Sequence, residues 1–221
     1  MTGSTGHPER IAVLGSPGSG KSRFCHLLAH ATGLPLFHLD DLYWYPGWQR
    51  TPDQEWESVN VRLAAQPAWI IDGNYLDTVP HRVRRADLVV VLDHHPLRCV
   101  SRLVGRSMRL RRRGAANAGS EYLPRRLRHG VDPPVRDLSA LVRKALGFRN
   151  RELAVMRDLL STVSGEVRFC RSQADCARLL RLLHNVVTAS SPVPGLARWQ
   201  IDSELSPCSC PDPSAGRTPP R

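Results

Sequence analysis

A chain of 221 residues is long enough for one α/β domain of ordinary size, with at most an insertion and a tail. Hydrophobic residues make up 41%, and the longest unbroken apolar run is Leu88 to Leu92, which excludes a spanning helix, since that takes about 20 apolar residues. Basic residues number 31 against 20 acidic, for a formal net charge of +11, and only Lys21 and Lys144 among them are lysines; such an arginine excess suits forked phosphate contacts without demonstrating nucleic acid.

The polar opening MTGSTGHPER has no secretory apolar region, and residues 1–9 read as a flexible start. The six cysteines, at 25, 99, 170, 176, 208 and 210, lack paired CxxC spacing, so a reducing, cytoplasmic setting is expected. Arg10 to Leu14 is the first strand, ending at Gly15. Gly20 to Ala31 follows as a helix, with Phe24, Leu27, Leu28 and Ala31 at helical spacing. Pro35 to Leu39 makes a short second strand. Thr51 is the expected N-cap of a helix running to about Ala65, with Pro52 in its first turn. Ala68 to Ile71 forms a third strand and Leu88 to Leu92 a fourth, the latter apolar throughout as in a strand buried on both faces. A helix starts near Pro96. Val167 to Cys170 gives a fifth strand and Gln173 to Leu183 a closing helix. Strands alternating with helices predict βαβ units and a parallel sheet. Residues 98 to 128 hold ten arginines and one acid, Glu121, around the small-residue stretch GAANAGS at 114–120. From Thr188 to Arg221, fifteen of 34 residues are Pro, Ser or Gly, which reads as a disordered tail. Cys208 and Cys210 lie in it without a second ligand pair, so a metal role is not expected there. The domain is therefore placed at residues 10–187.

The motif that sets the class is Gly15-Ser16-Pro17-Gly18-Ser19-Gly20-Lys21-Ser22, a GxxxxGK[ST] loop between the first strand and the first helix. Its glycines let backbone N–H groups turn onto phosphate oxygens, and the helix N-terminus adds partial positive charge. Lys21 is placed for the β/γ-phosphates and the Ser22 hydroxyl for Mg²⁺. ATP and Mg²⁺ are thus the expected cofactors. No Asn-Lys pair occurs, which argues against a guanine-specific GTPase, and the chain is too short for a motor ATPase. A small kinase acting on a small molecule fits the length best.

The loop, together with His38-Leu39-Asp40, the aromatic run Tyr43-Trp44-Tyr45-Pro46-Gly47-Trp48 and the stretch Trp69-Ile70-Ile71-Asp72-Gly73-Asn74-Tyr75, resembles the adenylate-kinase-related DNA topology modulation proteins over roughly residues 10–185. The resemblance implies a three-layer α/β/α P-loop NTPase fold with a five-stranded parallel sheet and an arginine-rich lid, about residues 105–135. It implies a phosphoryl transfer from ATP to a nucleoside, nucleotide or other hydroxylated metabolite. Asp40 matches a family position and is the expected acceptor-side carboxylate, with Asp41 in reserve; either can take a hydroxyl proton. Asp72, leaving a buried strand beside the loop, is expected in the Mg²⁺ shell with Ser22, partly through water. The segment Asp72-Gly73-Asn74-Tyr75 is similar to the LDGFPR stretch of adenylate kinases, but Leu76 stands where that motif has Arg, and Arg82 is the nearest arginine downstream, which argues against AMP as acceptor. Gly73, Tyr75 and Arg82 are expected along the acceptor's path, with Trp44 and Trp48 stacking on its ring.

Arg98, Arg102, Arg106 and Arg109 recur at i+4, i+4 and i+3 and share a helix face with no acidic partner at neighbouring helical spacing. The resemblance places lid arginines here, Arg102 and Arg106 as catalytic groups and Arg98 and Arg109 on the nucleotide. Arg111, Arg112 and Arg113 are expected to face solvent or other anions. His94 and His95, adjacent and without accompanying ligands, are not expected to bind metal. The competing expectation is an ATP-binding, nucleic-acid-associated regulator using segment 98–128 on phosphates. Monomer and homodimer both stay open.

Overall fold

The computed structural model describes residues 7–113, 124–127 and 137–189. Its elements, in chain order, are β1 (Arg10–Gly15), α1 (Lys21–Thr32), β2 (Leu36–His38), α2 (Leu39–Tyr43), β3 (Trp44–Tyr45), a 3₁₀ turn (Pro46–Trp48), β4 (Gln49–Arg50), α3 (Asp53–Ala65), β5 (Trp69–Asp72), α4 (Val79–Val83), β6 (Leu88–Leu92), α5 (Pro96–Arg113), a 3₁₀ turn (Arg125–Leu127), α6 (Leu138–Gly147), α7 (Glu152–Leu160), β7 (Glu166–Cys170) and α8 (Gln173–Ala189). Among the described residues, five strands form one parallel sheet in the order β2-β5-β1-β6-β7. The chain leaves central β1 for the β2 edge, returns through β5 and crosses to β6, so the order reverses at β1 and opens a crevice beyond its carboxyl end, where ligands bind in such sheets. No described helix is long and apolar enough to cross a membrane.

Alternation along β1 explains the layers. Ile11 and Val13 join Phe24, Cys25 and Leu28 of α1 and Leu179 and Leu183 of α8 in one cluster. Ala12 and Leu14 face the other way, with Trp56 and Leu63 of α3, Val79 and Val83 of α4, and Leu153 and Met156 of α7. Successive strand residues point to opposite faces, so one buried strand feeds both cores. The arrangement is the three-layer α/β/α P-loop fold. All five residues of β6 are buried, as its continuous apolar run requires.

Three local expectations change. Thr51 does not cap α3: Pro52 occupies the cap position without a side-chain bond, and the Thr51 hydroxyl donates to the Leu42 and Tyr43 carbonyls at 2.8 and 2.9 Å. It closes the base of a hairpin that periodicity does not reveal, in which Trp44 pairs with Arg50 and Tyr45 with Gln49. Second, α6 and α7 lie between α5 and β7, where no helix is read from the sequence; Phe148 and Leu153 nonetheless reach the main core. Third, α5 runs unbroken through Gly105 to Arg113, so the range assigned to a lid begins in mid-helix. The GAANAGS stretch, Arg128 and residues 190–221, with the tail and Cys208 and Cys210, lie outside the described residues.

Candidate functional site

The phosphate-type loop closes at the end of β1. Gly18 has φ +76°, and a Cβ there would stand 2.3 Å from the Cys99 carbonyl oxygen of α5, so only glycine lets the loop touch that helix. Asn74 holds the loop from the other side. Its Oδ1 accepts from the Gly15 N–H and its Nδ2 donates to the Gly15 carbonyl, both at 3.0 Å, and Nδ2 also reaches Glu152 at 2.9 Å. Lys21 Nζ donates to the Gly15 and Ser16 carbonyls at 2.8 and 3.2 Å, which keeps the cation across the mouth of the loop. The Ser19 hydroxyl is buried without a protein partner.

Asp72 ends β5, in register with Val13 of β1 and His38 of β2. Its Oδ2 accepts from Ser22 Oγ at 3.1 Å and from His38 Nδ1 at 2.8 Å, while Oδ1 is buried without a protein partner. Burial pushes this carboxyl up, but the hydrogen bond and charge of His38, with Lys21 and Ser22, carry it below the usual carboxylate range. Among the described residues no three His, Cys, Asp or Glu side chains converge for a metal ion. Mg²⁺ does not need such a cage: one or two carboxylates, water and phosphate oxygens suffice. An ionised Asp72 with a spare oxygen, bonded to the Ser22 hydroxyl, fits that requirement.

Asp40, in the first turn of α2, is half-buried and accepts from the Tyr75 hydroxyl at 2.5 Å. Burial raises its carboxyl above the ordinary range, against the opposing bond from Tyr75. Tyr75 is itself set at φ +21° and packed on Tyr43 and Trp56; burial and the neighbouring Asp40 charge keep it a phenol. Two carboxylates thus flank the loop with opposite displacements, the pattern that separates a metal-side group from a proton acceptor.

On α5, Cys99, Leu103, Ser107 and Leu110 form the buried stripe, and the arginine face runs one residue ahead of it. Arg102 Nη1 donates to the Ser19 carbonyl of the loop at 3.0 Å and to His94 Nδ1 at 3.3 Å. Arg106 is half-buried, and Arg98 and Arg109 are exposed, as are Arg111 and Arg112; the Arg113 side chain lies outside the described residues. Of the four arginines, the structure brings Arg102 against the loop backbone.

Neither a protein-family model nor a curated protein matches the chain. Among solved structures it is similar to a gluconokinase from Sinorhizobium meliloti, at 19% identity over 84% of this chain and 99% of that one, with a TM-score of 0.43. It is also similar to a shikimate kinase from Acinetobacter baumannii, at 13% identity over 84% and 96%, with a TM-score of 0.48. At such scores the likeness adds nothing to the fold, which rests on strand order and loop.

Several expected site residues make contacts within the protein. Arg82 is buried, donating to the Gly73 and Asn74 carbonyls at 2.7 and 2.6 Å and to Thr78 Oγ1 at 3.3 Å. Burial pulls its pKa down to about 9, still protonated at neutral pH, and it clamps the turn after β5 instead of lining an acceptor path. Gly73 lies against Leu39, whose Cβ a side chain there would meet at 2.9 Å. Asp41 accepts the Arg125 N–H at 2.7 Å and pairs with its guanidinium at 3.5 Å, so it docks residues 124–127 beside α2. Leu76 packs on the main core. Trp44 and Trp48 meet edge to face at 5.3 Å in the hairpin, with Arg126 over the Tyr45 ring at 4.2 Å; both tryptophans keep partly open surface.

Sequence reasoning missed Asn74, His38 and the pair Arg149–Asp93, whose Nε–Oδ1 distance of 2.7 Å ties the α6–α7 turn to the end of β6. His38 had a signal, standing two residues before Asp40 at the end of a strand. Arg149 and Asp93 are 56 residues apart, and no local pattern joins them.

Proposed function

We propose that the chain is a small-molecule kinase that transfers the γ-phosphoryl group of ATP to a hydroxyl of a small acceptor. One observation carries the reading: a glycine-rich loop with its lysine, an ionised Asp72 on Ser22 and a raised-pKa Asp40 on Tyr75 converge at the carboxyl ends of β1, β5 and β2. The loop backbone and Lys21 would hold the phosphates, and Ser22 and Asp72 would hold Mg²⁺, Asp72 partly through water. When bound, Mg²⁺ neutralises charge developing on the transferred group. Asp40 takes the acceptor's hydroxyl proton, its raised pKa bringing basicity nearer the working pH. Arg102, anchored on the Ser19 carbonyl, sets a guanidinium at the loop's edge, and Trp44 and Trp48 offer a ring surface on the acceptor side. The resemblance to the topology modulation proteins belongs to this proposal, as does the 10–187 domain boundary.

ADP release measured across nucleosides, nucleotides and small hydroxylated metabolites tests the reading. Turnover on one acceptor class is expected, with loss of more than about 10²-fold in Lys21→Ala, because a fixed cation at the β/γ bridge stabilises transition-state charge. No ADP release on any acceptor, with steeply salt-dependent DNA binding, would replace the kinase by the nucleic-acid-associated regulator.

A further inference from the structure

The kinase reading leaves a cluster of three side chains unused at the edge of the sheet. Cys170 ends β7 and is buried; Cys176 lies in the opening turns of α8 and is half-buried. Cys170 pairs with Leu92 across the sheet and its carbonyl accepts the Asp93 N–H at 3.0 Å, beside His94 in the chain; Cys176 packs against the core cluster that holds Cys170, and its Sγ lies 3.8 Å from His94 Nε2. His94 is buried in turn, with Arg102 Nη1 at 3.3 Å from its Nδ1.

This geometry sets the imidazole tautomer. A guanidinium has donors and no acceptor, so His94 Nδ1 must accept, and the ring proton resides on Nε2. That N–H points at the Cys176 sulfur and favours its thiolate, as does a position near a helix N-terminus. The neighbouring Cys170 and then His94 draw Cys176 below the ordinary thiol range, while the neighbouring Cys176 and burial push Cys170 up. Cys25 and Cys99, by contrast, are fully buried, and burial raises both.

We propose that Cys176 and Cys170 form a peroxide-reactive dithiol site, with Cys176 as the attacking thiolate oriented by His94 and Cys170 as the resolving thiol. The Cys176 thiolate attacks one oxygen of hydrogen peroxide; the S–O bond forms, the O–O bond breaks and hydroxide leaves, giving a sulfenic acid. Cys170 sulfur then attacks the sulfenic sulfur and loses its proton; the S–S bond forms, the S–O bond breaks and water leaves. Two thiols are oxidised and one peroxide is reduced to two waters. Only five residues separate the cysteines, so the closed loop is short.

The test uses the full chain, reduced and freed of reductant, then treated with hydrogen peroxide and digested with trypsin. Cleavage after Arg171 separates the partners, so the product is a cross-linked pair of peptides, Phe169–Arg171 and Ser172–Arg178, about 2 Da lighter than the two reduced peptides together. In Cys170→Ser, dimedone is expected to label Cys176 as its sulfenic acid. Iodoacetamide at neutral pH should alkylate Cys176 about tenfold faster than Cys208 or Cys210, and His94→Ala should erase that advantage. Wild-type cross-linking is decisive if His94→Ala fails to fold. Peroxide oxidation that spares the pair, dimedone on another cysteine, or Cys176 alkylation no faster than that of Cys208 and Cys210 would overturn the proposal.

Discussion

At the scale of single residues the two carboxylates predict opposite behaviour. Asp40 has a raised folded-state pKa, so its stabilising contribution is full below the unfolded value of about 3.9 and is lost as pH rises through the folded value. Asp40→Asn keeps an oxygen for the Tyr75 hydroxyl and removes the buried charge. Turnover is therefore expected to fall by roughly 10²–10⁴-fold while the thermal midpoint at neutral pH stays level or rises; steady-state kinetics and calorimetry on one preparation check both. Asp72 has a lowered pKa, so its contribution is present above about 3.9 and is lost as pH falls through the folded value. The stability gap between wild type and Asp72→Asn should shrink on acidification in urea titrations, and the variant should need more Mg²⁺ for half-maximal turnover.

At the scale of elements, α5 is the partner of the loop. Gly18 lies on the Cys99 carbonyl and Arg102 donates to the Ser19 carbonyl, so the helix positions the loop through one close contact and one charged hydrogen bond. A lysine at 102 keeps the charge but replaces the planar guanidinium, whose Nη1 reaches both the Ser19 carbonyl and His94 Nδ1, with a compact ammonium on a shorter side chain. Arg102→Lys is expected to lower turnover about tenfold or more with ATP affinity changed less; isothermal titration beside single-turnover kinetics separates the two. Equal losses in binding and turnover would make Arg102 a plain support of the loop.

At the scale of the whole molecule, the α6–α7 segment is secured to the main layer by Phe148, buried at the end of α6 among the core side chains. The same segment supplies Arg149 to Asp93 and Glu152 to Asn74, so its packing supports both the β6 end and the loop. Phe148→Ala is expected to cost about 3–5 kcal/mol, read as a lower urea midpoint, with ATP affinity weakened in the same variant because Asn74 loses a fixed partner.

The sheet strands, the α1 helix and the loop were legible in the sequence because each is a local pattern: an apolar run, a 3.6-residue repeat, a glycine-lysine-serine spacing. The approach of Asp72 to Ser22 followed from a strand ending beside that loop. What the tertiary structure alone decided are pairings between distant residues that resemble ordinary polar positions in the chain. Arg82 reads in the sequence as a ligand-side arginine because it is the nearest arginine downstream of Leu76, yet it is buried and two carbonyls take its donors. Asp41 was a spare acid until Arg125, 84 residues away, claimed it. The hairpin escaped because its strands are two residues each, too short for alternation to register. Periodicity reports which face of an element is buried, whereas hydrogen-bond partners are set by where the fold brings chain ends together, and only three dimensions contain that information.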